Sequence, residues 1–105
     1  MPSPDTTDDA APDGFDELTA ANVVVFWRPG CGFCMMLRRG LRKAGLTTVE
    51  VDIWEDPAAA AFVRRNARGN ETVPTVAVGG EVMVNPSARV VVAAARAAGL
   101  VGTVD

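Results

Sequence analysis

The stretch Val23-Val24-Val25-Phe26-Trp27-Arg28-Pro29-Gly30-Cys31-Gly32-Phe33-Cys34 decides the fold. Val23 to Trp27 is an unbroken β-branched and aromatic run, closed by the breaker Arg28-Pro29-Gly30, and reads as a strand buried on both faces. Beyond it Phe33, Leu37, Leu41 and Ala44 recur at helical spacing. Arg38, Arg39, Arg42 and Lys43 fall on the other faces and read as a solvated flank. The order is strand, tight turn, helix, with Cys31 and Cys34 where the turn becomes the helix.

Working outward, Gly45 ends the helix, and Thr47 to Ile53 has strand composition with partial period-two alternation. Asp56-Pro57 is a cap followed by an N1 proline and opens an alanine-rich helix through Phe62 and Val63 to about Ala67. Thr75 to Val78 and Glu81 to Val84 flank Gly79-Gly80, a hairpin signal. Asn85-Pro86 repeats the cap-then-proline pattern and starts a last helix with Val91, Ala94, Ala95 and Ala98 on its apolar side. The fold class is therefore α/β, in the order β-α-β-α-β-β-α, with a four-stranded mixed sheet flanked by helices.

The 105 residues allow one domain, and 49% apolar with 22% charged residues is a globular composition. The formal charge of −3 conceals a division. Asp5, Asp8, Asp9, Asp13, Asp16 and Glu17 place six negatives and no positive in the first 17 residues. Residues 1–17 are expected to be an acidic, disordered tail, with the folded domain spanning 18–105. With no His in the chain, Ser-His-Asp and Cys-His activation and imidazole metal ligation are excluded within it. Two cysteines do not complete a structural zinc site, so no metal is expected. Phenolic chemistry is excluded by the absence of Tyr. Without an apolar run of spanning length or a signal-peptide pattern, the expectation is a cytoplasmic monomer with no membrane or nucleic-acid partner. In that reducing compartment a cysteine pair is more often catalytic than structural.

Cys31-Gly32-Phe33-Cys34 lies between a strand and a helix of a βαβ unit, the context in which C-x-x-C reads as a thioredoxin-like redox motif. At the helix start, unpaired N–H groups and the positive end of the dipole favour the Cys31 thiolate. An unperturbed thiol of pKa about 8.5 supplies little of that nucleophile at neutral pH. Arg28, three residues upstream, is a candidate for further charge stabilisation. Cys34, one turn into the helix, suits the resolving thiol. The second signal is Glu71-Thr72-Val73-Pro74-Thr75. Pro74 reads either as a strand-entry proline or as a cis proline facing the cysteines, with the Val73 backbone N–H and C=O left for a substrate backbone.

Together Trp27, Cys31-Gly32-Phe33-Cys34, Glu50-Val51-Asp52-Ile53, Ala59-Ala60-Ala61-Phe62-Val63, Gly69 to Val76 and Asn85-Pro86-Ser87-Ala88 resemble the glutaredoxin family. Within it the chain looks most like the mycoredoxins, its mycothiol-dependent branch. The resemblance spans Val24 to Leu100. It implies a thioredoxin-fold disulfide reductase with Cys31 as nucleophile, Cys34 as its partner and Pro74 in cis, substrate contacts falling on Phe33, Thr72, Val73, Asn85 and Ser87. No tightly bound cofactor is implied; mycothiol is the co-substrate. The partners implied are mycothiolated or disulfide-bonded proteins and, indirectly, an NADPH-dependent mycothiol disulfide reductase. Two departures stand out: Phe33 where mycoredoxins commonly carry Tyr, and the inserted Arg28-Pro29-Gly30. Glutathione-using members typically place Gly-Gly and an acid near the last helix, where this chain has Val84-Asn85-Pro86-Ser87. Two other functions remain open on the resemblance. One is a dithiol donor reduced by thioredoxin reductase; the other is a cluster-binding protein, since Cys-Gly-Phe also begins the Cys-Gly-Phe-Ser motif of monothiol glutaredoxins.

Overall fold

The computed structural model describes residues 15–100. Its elements are α1 (Phe15–Ala21), β1 (Val23–Trp27), α2 (Gly32–Lys43), β2 (Val49–Asp52), α3 (Pro57–Asn66), β3 (Thr75–Val78), β4 (Glu81–Val84) and α4 (Ala88–Ala97). The sheet runs β2-β1-β3-β4. β1 pairs parallel with β2, bringing Trp27 opposite Asp52, and antiparallel with β3, bringing Phe26 opposite Thr75. β3 and β4 form the hairpin, in which Gly79 and Gly80 both take positive φ, 57° and 91°. That conformation is the one a two-residue turn between right-twisted strands requires.

Alternation along β1 divides the core. Val24 and Phe26 face a layer with Phe15, Ile53, Ala59, Phe62, Val63 and Ala77. Val23 and Val25 face the opposite layer of Leu37, Leu41, Leu46, Val76, Val78, Val91 and Ala95. α1 and α3 thus cover one face of the sheet, α2 and α4 the other. β1 is buried throughout apart from half-buried Trp27, as its continuous apolar run dictates. No helix among the described residues is long and apolar enough to cross a membrane.

Three sequence expectations change. The boundary at residue 17 falls inside α1, which the β-α-β-α-β-β-α order lacks. Phe15 is buried, its ring 5.4 Å from Phe26 edge-on and 5.6 Å from Phe62. Asp16 and Glu17 belong to the first turn of this helix, where carboxylates complement the dipole, rather than to a tail. The expectation for residues 1–14 lies outside the described residues. At the other end, Asn85 does not cap the last helix. Ser87 does, its hydroxyl accepting the Val90 N–H at 3.3 Å, while Asn85 adopts the left-handed region at φ 54°. Finally, Arg38 is not a solvated flank: its guanidinium stacks 4.3 Å from the Trp27 ring centroid and pairs with Glu50 at 2.7 Å.

Candidate active site

Cys31 is the N-cap of α2, with extended backbone at φ −98° and ψ 106°. The geometry turns its side chain back over the first helical turn, where its Sγ accepts the Cys34 N–H at 3.1 Å. A sulfur therefore occupies the place of the usual capping oxygen. The peptide donor and the dipole of a twelve-residue helix both act on that atom, and both favour it as an anion. Cys31 and Cys34 are joined as a disulfide with Cα atoms 5.2 Å apart. Cys34 is wholly buried, whereas Cys31 retains 7% exposure, so an incoming sulfur reaches Cys31 first.

The loop before β3 faces this pair. Val73-Pro74 is a cis peptide, and the Val73 carbonyl lies 3.8 Å from Cys31 Sγ. Two bonds hold the loop in place: Thr75 Oγ1 donates to Thr72 O at 2.8 Å, and the Asn85 N–H donates to Pro74 O at 2.8 Å. The Val73 N–H has no partner among the described residues, so this peptide keeps a donor beside the disulfide. An extended substrate backbone pairs with such a donor and carbonyl as an added strand does. Pro74 and Thr75 are buried, which leaves the edge at Thr72 and Val73 for contact.

On the α4 side of the motif a groove of about 340 Å³ is lined by Phe33, Met36, Leu37, Asn85, Pro86 and Ser87, with Ala88 beneath. Phe33 is 67% exposed and Met36 65%, an unusual presentation for large apolar side chains. The expected contacts Phe33, Asn85 and Ser87 thus share one groove, while Val73 lies by the sulfur with Thr72 next to it in the chain. Leu37 was read only as part of the helix's apolar repeat and Met36 not at all, although Met36 stands three residues from Phe33 and therefore on the same side of the helix.

Arg28 lies elsewhere. Its guanidinium sits 5.5 Å from the Trp54 ring centroid and donates to the Pro29 carbonyl, in place of any contact with Cys31. Trp54 is itself 64% exposed. A cation beyond the motif that is built into the fold is Arg38. It ties α2 to the ends of β1 and β2 through Trp27 and Glu50, with its side chain 18% exposed. This brace went unnoticed because the apolar spacing of the helix marks only its core-facing stripe.

Comparison with known proteins agrees with this architecture. The Glutaredoxin family model matches residues 23–83. The chain is 40% identical over 72 residues to "Putative glutaredoxin Rv3198A" of Mycobacterium tuberculosis strain H37Rv, covering 68% of this chain and 84% of that protein. The poplar glutaredoxin C1 solution structure, in reduced form, is 28% identical with a TM-score of 0.61, over 85% of this chain and 77% of that one. The crystal structure of a buckwheat glutaredoxin–glutathione complex superposes at a TM-score of 0.67 over 83% of this chain and 88% of that one. At 21% identity it speaks for the fold alone. A four-stranded mixed sheet with a C-x-x-C pair at a helix start and a cis proline opposite is a thioredoxin fold carrying thiol–disulfide chemistry, and with residues 23–83 matched the chain belongs to the glutaredoxin family.

Proposed function

We propose that this thiol–disulfide oxidoreductase reduces mixed disulfides between proteins and mycothiol. The observation that carries the reading is the groove lined by Phe33 of the Cys31-Gly32-Phe33-Cys34 motif. A glutathione γ-glutamyl group presents a free amine and a carboxylate, which the acid and the open helix N-terminus of glutathione-using members satisfy. Here the corresponding corner is Asn85-Pro86-Ser87, without an acid, and Pro86 supplies no N–H. Exposed Phe33 and Met36 form the other wall. Mycothiol carries an uncharged, hydroxyl-rich sugar head. Such a ligand presents C–H faces to Phe33 and hydroxyls to the side chains of Asn85 and Ser87.

The Cys31 thiolate attacks the mycothiol sulfur of the mixed disulfide. The old S–S bond breaks, the electron pair leaves on the protein sulfur, and that thiolate takes a proton from solvent. A Cys31–mycothiol disulfide results. The thiolate of a second mycothiol attacks the mycothiol sulfur of this bond, forms mycothiol disulfide and returns Cys31 as thiolate. An NADPH-dependent reductase then restores both mycothiols. Cys34 attack on Cys31 Sγ is the side branch, and it ends in the Cys31–Cys34 bond seen in the structure. That bond also supports a second reading, in which the dithiol pair itself passes electrons from thioredoxin reductase to a protein disulfide.

The test is turnover of a mycothiolated model protein with mycothiol, its reductase and NADPH, set against the matched glutathione system. At least tenfold faster turnover with mycothiol is expected, and equal or faster turnover with glutathione overturns the assignment. Reduction by thioredoxin reductase alone, at a rate matching the mycothiol system, selects the dithiol reading instead.

A further inference from the structure

The redox chemistry leaves one face of the molecule unexplained. α2 and α4 lie side by side over the sheet, and neither carries an acidic residue. Arg39, Arg42, Lys43, Arg89 and Arg96 are all exposed on them. The ion pairs among the described residues, Arg38–Glu50 and Arg64–Glu71, engage none of these five. Between the helices runs a groove of about 360 Å³, with Gly40, Ala44, Ala88 and Ala93 supplying small side chains and Arg89 and Arg96 supplying charge. Arg89 and Arg96 at this floor, with no ion pair among the described residues, raise the local potential and favour an extended anionic occupant with small side chains.

This chain contains such a segment. Residues 1–14 include Asp5, Asp8, Asp9 and Asp13, no Lys or Arg, and the small pair Ala10-Ala11. They precede Phe15, which anchors α1 on the opposite face of the sheet. Fourteen extended residues reach about 46–50 Å. Passing from one helix layer to the other requires roughly 20 Å, at about 10 Å per packed layer. The tether also gives the segment a local concentration on the order of millimolar, which an acidic partner in solution must exceed to displace it.

We propose that the acidic segment 1–14 docks across the groove between α2 and α4, its aspartates set against Arg89 and Arg96, with Arg39, Arg42 and Lys43 of α2 adding to the positive potential around them. Docked there, it occupies the basic face and competes with acidic partner proteins for it.

The experiment compares the full chain with a full chain carrying D5N, D8N, D9N and D13N, by amide chemical shifts at low and high salt. Shift differences are expected at residues 39–44 and 88–96 near 20 mM salt, and should vanish near 0.5 M, where the screening length falls to about 4 Å. They should not change with protein concentration, and R89Q/R96Q should move the resonances of residues 5–13 toward their high-salt positions. Identical spectra at low salt overturn the proposal. So do differences confined to α3, which would place the segment on the other face, or differences that grow with protein concentration, which would make the occupant a second copy. Because chemical shifts need no turnover, the result stands apart from the proposed mycothiol chemistry.

Discussion

Cys31 and Cys34 differ in more than order along the chain. One caps the helix and remains open to attack, while the other is sealed beneath it and donates its N–H to the first. On the monothiol route Cys31→Ser removes the only sulfur that forms the mixed disulfide, and turnover of a mycothiolated substrate should fall at least a thousandfold. Cys34→Ser should hold within about threefold of the parent, since it deletes only the branch to the internal disulfide. Abolished turnover in the Cys34 variant would transfer the mechanism to the dithiol route. The placement of these two residues was legible from sequence, because helix-start position and spacing alone fix which sulfur meets the unpaired N–H groups. Arg28 and Arg38 were not. Which guanidinium meets which ring depends on strands brought together by the β1–β2 pairing, and no local pattern encodes that. Asn85 was misassigned for a related reason: Asn suits both helix caps and the left-handed region, and the choice was made by its N–H bond to Pro74, eleven residues back.

Among the elements, α2 and α4 approach through their smallest residues. A Cβ added to Gly40 would stand 2.8 Å from the Ala88 Cβ, and neither atom can rotate away from its backbone. Gly40→Ala should therefore lose the roughly 1 kcal/mol that alanine gains in a helix interior and cost about 1–3 kcal/mol more by overpacking. Urea denaturation checks the sign, with Gly32→Ala as comparison because nothing lies within 4 Å of its added Cβ. Ala88 also borders the groove lined by Phe33, so displacement of α4 in the Gly40 variant should raise KM for the thiol co-substrate more than it lowers kcat. The strands, the hairpin and three of the four helices announce themselves in the sequence, where periodicity, Asp56-Pro57 and Gly79-Gly80 all act locally. α1 did not, being a seven-residue helix that opens with acids and follows an acidic stretch. Its membership in the fold rests on the contact of Phe15 with two distant rings.

For the molecule as a whole, that contact sets the boundary of the folded unit. Phe15, Phe26 and Phe62 form one aromatic cluster joining the first helix, the central strand and α3, with Phe26 stacked 4.8 Å from Phe62. Phe15→Ala should cost about 3–5 kcal/mol, seen as a lower urea midpoint with the slope unchanged. A loss below about 0.5 kcal/mol would return residues 15–17 to the tail. Composition could divide acidic from basic chain but not ordered from disordered, since one buried ring outweighs two neighbouring carboxylates that simply face water. The placement of the chemistry on the two inner strands has a further consequence. Trp27 ends β1 and Pro74 precedes β3, and the interiors of both strands are almost wholly inaccessible to solvent, while β2 and β4 form the open margins of the sheet. In amide hydrogen exchange the backbone of β1 and β3 would open only with global unfolding, and the margins far sooner. The cysteine pair and the cis proline thus hang from the slowest clock in the molecule. Breathing at the rim can admit different clients without altering the distance between the sulfur and the peptide that receives them.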